Sequence, residues 1–176
     1  SQRRGKPSVL NDVIPQCRGD IVVLMDARQE VGEEAIECLL ANFADPAVGV
    51  VSGELVFRRG NDETLAAGGV SAYWTYEKFI RRRESLFGSV PGATGAIYAL
   101  RRPLFAPIPP DTLLDDVAIP MRAVAKRYRC VFEERAVAYD DPSTTPAQES
   151  VRKRRTIAGN AQMIRLFPAL LLPWRN

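Results

Sequence analysis

Two acidic positions and one glycine turn carry the residue types that could do chemistry in this chain. Asp26 closes the apolar run IVVLM in the stretch DIVVLMDARQ. Five apolar residues in a row suit a strand covered on both faces and are short for a helix. An acid at the carboxyl end of such a strand lies where open α/β sheets bind their ligands. It suits equally well a loop acid that merely ends the strand. The second position is the pair Asp115-Asp116 in LLDDVAIPMR, at the head of a helical stripe whose N-terminal dipole favours negative charge. Capping accounts for Asp116 as well as chemistry does. Adjacent helical residues point in different directions, so one acid can cap while the other faces a cleft. The turn Gly92-Ala93-Thr94-Gly95 has glycines that let backbone approach a ligand closely. Arginine clusters at 81–83 and 152–155 offer phosphate partners or solvated helix faces.

Composition narrows the options. The chain has 176 residues, 46% of them hydrophobic, which is enough for one domain with a core, spanning 1–176. It contains no histidine, so imidazole bases, Ser-His-Asp triads and histidine-bound zinc are excluded. Cys17, Cys38 and Cys130 form no CxxC and read as buried free thiols. A metal must then rest on carboxylate oxygens, which favours Mg²⁺ or Mn²⁺. The net charge of +3 is mild, and no aromatics interleave with residues 152–155, so no nucleic-acid partner is expected. No apolar run reaches the length of a membrane span, and the apolar tail 165–176 reads as a possible membrane-interface segment.

The elements that must hold these residues follow from periodicity and breakers. A short helix starts near Ser8 after Pro7, and the strand 21–25 follows. Ile36, Leu39, Leu40 and Phe43 mark an amphipathic helix, stopped at Asp45-Pro46. A strand over 48–57, broken at Ser52-Gly53, completes a strand–helix–strand unit typical of parallel sheets. A helix spans 71–87 with a Glu77–Arg81 pair, and a strand starts near Ala96. A proline-rich loop then leads to a helix beginning between residues 116 and 119, which keeps Pro120 in its first turn. The last strand covers 130–139, and Thr145-Pro146-Ala147-Gln148 is a capping box for the last helix. The fold class is α/β.

The segments GKPSVLND, DIVVLMDARQ, FADPAVGVVSGEL, GATGAIYALRR, LLDDVAIPMR and VRKRRTIAGN, in this order, resemble the family 2 glycosyltransferases of the bacterial cell-surface polysaccharide type. The resemblance implies an inverting transferase with a partial GT-A (Rossmann-like) fold: a mixed, mainly parallel sheet flanked by helices, without the N-terminal nucleotide-binding strands. It implies a nucleotide-diphosphate sugar donor, a UDP-sugar first among them, a saccharide or lipid-linked acceptor, and Mg²⁺ or Mn²⁺. Asp26 matches the metal-binding motif, with Arg28 where the family often has a second acid. Asp116 matches the catalytic base, with Asp115 beside it. Gly92, Ala93, Thr94 and Gly95 match the acceptor and sugar loop, and Lys6 a donor-side lysine. Arg155 corresponds to the arginine of a Gln-x-x-Arg-Trp motif in which Arg152 and Thr156 replace the glutamine and tryptophan. The whole protein is expected at the cytoplasmic face of the bacterial inner membrane, with the membrane reached through flanking segments. The piece itself is expected to be soluble and inactive alone. The strand carrying Asp26, short of a neighbour, is expected to present an apolar edge on which a second copy pairs. A catalytically dead binding domain and a nucleotidyltransferase are the alternative functions.

Overall fold

The computed structural model describes residues 4–58, 66–141 and 146–168. Thr145, most of the loop after Arg58 and the tail beyond residue 168 lie outside that range, so the capping box and the interfacial tail are not addressed. Helix α1 (Gly5–Val13) starts a few residues before the expected point and leads through a 3₁₀ turn into strand β1 (Ile21–Met25). A two-residue strand, β2 (Glu30–Val31), precedes α2 (Ala35–Ala41). Strand β3 (Val48–Phe57), helix α3 (Ala66–Phe87), strand β4 (Ile97–Arg101), helix α4 (Asp115–Ala125), strand β5 (Arg129–Asp140) and helix α5 (Pro146–Leu166) complete the chain.

The strands form one sheet in the order β1-β4-β3-β5-β2. β1, β3 and β5 run one way, and β4 and β2 the other. The mixed, helix-flanked sheet matches the expectation, and most of its strands share a direction. Its pairing differs: among the described residues β3–β5 is the one parallel contact, because β4 inserts between β1 and β3. β1 is therefore an edge strand, paired on one side with β4.

The sheet is curled, and the chain shows why. β1 and β2 are separated by four residues yet occupy opposite ends of the strand order. That link reaches no more than about 17 Å when fully extended, less than the width of a flat five-stranded sheet. Ser52 pairs with Phe132 but Glu54 with Val137, so residues 133–136 arch out of β5. β3 is thus irregular at Ser52-Gly53 without breaking there. Past this bulge the distal halves of β3 and β5 leave β4, and β2 joins β5 at Tyr139 and Ala138. The carboxyl ends of β1 and β5 are thereby brought together.

Alternation along the strands divides the core in two. Leu24, Val50, Tyr98, Leu100 and Cys130 face α4, and Met163 of α5 joins that cluster. Val51, Ile97, Ala99, Val131 and Ala138 face α2 and the 3₁₀ turn after it, where Leu39 and Phe43 cover them. Cys38 and Cys130 are buried free thiols, and Cys17 is half-buried. Among the described residues no helix is long and apolar enough to cross a membrane.

Candidate active site

Asp26 stands one residue past β1, in a turn fixed at both ends. Its amide donates to Ala96 O at 3.2 Å, and its carbonyl accepts from Gln29 N at 3.1 Å. The carboxylate reaches the surface and is gripped by two cations: Lys6 Nζ lies 3.4 Å from Oδ1 and Arg28 Nη1 3.3 Å from Oδ2. Lys6 sits in the first turn of α1, which docks through Leu10 and through Asn11. Asn11 bonds Ile108 twice, donating to its carbonyl at 2.8 Å and accepting from its amide at 2.9 Å. The lysine then spans to α4, where its ammonium meets Asp115 Oδ2 at 2.9 Å. Burial opposes the Lys6 charge, but the carboxylates of Asp115, Asp26 and Asp116 outweigh it and raise its pKa.

Asp115 and Asp116 open α4, and neither behaves as a cap. The residue before the helix is Leu114, which makes no side-chain cap bond. Asp115 is 3% exposed, and the Lys6 ammonium is the cation that meets its buried Oδ2. Asp116 is half-buried. Desolvation and the neighbouring Asp115 charge push its pKa up to about 6, against the opposing pull of Lys6, its own backbone amide and Arg155. The upward influences win over the helix N-terminus.

Pro120 sits inside α4 in its second turn, not in the first as its chemistry suggests. The reason is local. Proline has no N–H for the carbonyl four residues back, which leaves Asp116 O without that helical partner. Ala93 N donates to Asp116 O at 2.8 Å, tying the glycine turn to the head of the helix. Gly95 lies so close that a Cβ there would stand 2.8 Å from Asp116 Oδ2, and Gly92 packs against Val117. Thr94 N donates to the hydroxyl of the fully buried Ser52 at 3.0 Å, which fixes the turn to the sheet. Arg155 donates from Nε (3.2 Å) and Nη2 (2.9 Å) to Leu113 O, so its charge stands beside the acidic pair. Gly159 is where α5 meets Leu114, since a Cβ would strike Leu114 Cγ at 2.4 Å.

The structure therefore gathers the predicted residues around the head of α4. Lys6 bridges Asp26 and Asp115, the Asp116 carboxylate meets Gly95, and Arg155 approaches from α5. Of the cluster at 81–83, Arg81 turns inward, with Nη1 3.4 Å from Ser52 Oγ and its guanidinium 3.6 Å from Glu77. Arg82 pairs with Glu134, and Arg83 lies over Phe79.

Four contributors were not legible as site residues. Tyr98 is fully buried, and its hydroxyl has no hydrogen-bond partner among the described residues; burial, then the charges of Asp115, Asp116 and Asp26, raise its pKa well above the usual phenol value. Ser52, Gln29 and Asp140 support the two loops. The alternation of Tyr98 with Leu100 places it on the α4 face, but nothing local ties it to acids distant in sequence. Among the described residues no three acidic or thiol side chains form a metal cage. Asp26, a quarter of whose side chain is exposed, offers carboxylate oxygens at the surface of the cleft. A hard divalent ion held there would need its remaining ligands from phosphate and water, an arrangement Mg²⁺ commonly adopts, and a single carboxylate fits that demand.

Comparison with known proteins bears on the family and the fold. The sequence profile of Glycosyl transferase family group 2 matches residues 21–175. The poly-beta-1,6-N-acetyl-D-glucosamine synthase of Staphylococcus aureus is 25% identical over 171 residues, covering 94% of this chain and 41% of that protein. The chain thus spans about two fifths of the length of the curated relatives it matches. A mannosyltransferase from Pyrobaculum calidifontis, solved with GDP-Man and Mn²⁺, superposes with a TM-score of 0.75 at 24% identity, over 94% of this chain and 45% of that one. Glucosyl-3-phosphoglycerate synthase from Mycobacterium tuberculosis, solved with phosphoglyceric acid, gives 0.52 at 18% identity, over 88% and 53%. These likenesses establish the fold.

Proposed function

Because the chain belongs to Glycosyl transferase family group 2, we propose that it supplies the catalytic base, the donor-side carboxylate and the acceptor loop of an inverting glycosyltransferase. The reaction is a single displacement at the anomeric carbon of a nucleotide-diphosphate sugar by a hydroxyl of a saccharide or lipid-linked acceptor. Asp116 carries the reading. A half-buried carboxylate pushed up to about 6, held against a glycine loop at the head of a helix, has the affinity for protons that a general base near neutrality needs. Ionised Asp116 accepts the hydroxyl proton as that oxygen attacks.

Lys6 and Arg28 supply positive charge on the donor side, and a guanidinium suits the oxygens of a departing diphosphate. Asp26 would hold the divalent ion, which when bound supplies further counter-charge for that leaving group. The Pyrobaculum mannosyltransferase, solved with GDP-Man and Mn²⁺, supports this donor and metal class, and the Staphylococcus protein, named as a polymer synthase, supports a saccharide product. UDP-sugars are the first donors to test, with GDP-sugars second. Buried Asp115 holds Lys6 and raises the proton affinity of Asp116, and so acts through its neighbours. Arg155 fixes the Leu113 carbonyl and steadies the turn before the acids.

In the whole protein, Asp116→Asn is expected to abolish sugar transfer, by at least about a hundredfold, while donor binding measured by calorimetry stays within about twofold of wild type. Turnover at the wild-type rate overturns the assignment.

A further inference from the structure

Arg28 holds two acids through different nitrogens: Nη1 lies 3.3 Å from Asp26 Oδ2, and Nε 3.2 Å from Asp140 Oδ2. The Asp140 end is the firmer one. Asp140 ends β5, where the curl of the sheet delivers it to the Asp26 turn, and its Oδ2 also accepts from Gln29 Nε2 at 2.9 Å. Gln29 is buried, whereas the Arg28 side chain is 66% exposed. Rotation about the Nε contact therefore releases Asp26 while Arg28 keeps its anchor. Asp26 Oδ1 faces Lys6, so each of its oxygens already carries a cation, and a metal ion has to displace at least one. A diphosphate offers a guanidinium several oxygens with more charge than one carboxylate.

We propose that Arg28, anchored by Asp140, is a resident counter-ion on Asp26 that yields the carboxylate to a divalent cation when a nucleoside diphosphate takes its guanidinium, so that cation and diphosphate bind cooperatively. The inference rests on the reading of Asp26 as the metal-holding acid. Linkage makes the effect reciprocal: whatever removes Arg28 from Asp26 strengthens cation binding there, and removing the guanidinium weakens diphosphate binding.

The test uses the whole protein. Mn²⁺ affinity without nucleotide is read by electron paramagnetic resonance, and UDP or GDP affinity in chelator by calorimetry. Arg28→Ala, at an exposed position, is expected to tighten Mn²⁺ binding by about two- to fivefold, the scale of an exposed ion pair, and to weaken metal-free diphosphate binding by a similar factor. Asp26→Asn is expected to lose the Mn²⁺ site. Mn²⁺ binding that depends on Asp26 but is unchanged or weaker in Arg28→Ala overturns the inference and leaves the metal assignment standing, as does unchanged diphosphate binding. Mn²⁺ binding indifferent to Asp26→Asn overturns both.

Discussion

Asp116 is an acid whose surroundings favour its proton, and two measurable effects follow from the sign of that shift. A base works when ionised, so kcat/KM is expected to rise as pH increases through about 6 and then level off, the position set by burial and the Asp115 charge. A pH–rate profile of the whole protein checks this, and a flat profile between pH 5 and 7 contradicts it. Stability moves the other way. The folded pKa lies above the unfolded value of 3.8, so the folded state holds the proton more tightly between these values. Stability is therefore lost as pH rises from near 4 through about 6. Asp116→Asn is expected to be more stable than wild type above that window, by about 1–2 kcal/mol once the solvent that reaches the carboxylate is allowed for. Equal unfolding midpoints in denaturant at pH 7.5 would count against it. Which residues carry charge was legible in the sequence, because Asp26, Asp116 and Lys6 stand out by type and position. How they are neutralised was not: the partners of Asp26 include Lys6, 20 positions away, and Asp140, the second partner of Arg28, lies 112 positions from it.

Beside the packing of Leu10, one polar side chain positions helix α1. The pair of bonds between Asn11 and the Ile108 backbone ties it to the proline-rich loop, and Lys6 is delivered to the acids as a result. Asn11→Ala is expected to cost about 1–3 kcal/mol, since it also strands a partly buried amide and carbonyl, and to raise the donor KM severalfold as Lys6 loses its position. Denaturant melts and donor-titration kinetics read the two effects. The helices and strands were largely readable from apolar spacing, with ends off by a few residues. The exceptions have physical causes. β2 is two residues long and carries no periodicity, and it exists because the curl of β3 and β5 brings Tyr139 alongside Glu30. Pro120 misplaced the start of α4 because a tertiary bond, from Ala93 N to Asp116 O, supplies the partner that a helical amide would have been.

At the scale of the molecule, the sequence indicated strand directions better than strand neighbours. The crossover through α2 joins two strands of like direction, but nothing in the residues between them says that β4 lies in the gap. Among the described residues β1, the strand that presents Asp26, pairs with β4 alone, so one line of its peptide groups faces away from the sheet. Hydrogen–deuterium exchange is expected to be fast at alternate amides of Ile21–Met25 in the isolated chain and slow across β3, which is bonded on both flanks. Uniform protection along β1 would show a partner already zipped onto it. Any segment that docked along this open margin, from the same polypeptide or another, would stiffen the mount of Asp26 from outside the pocket. Backbone pairing remote from the pocket would reach Asp26 through the five residues of β1.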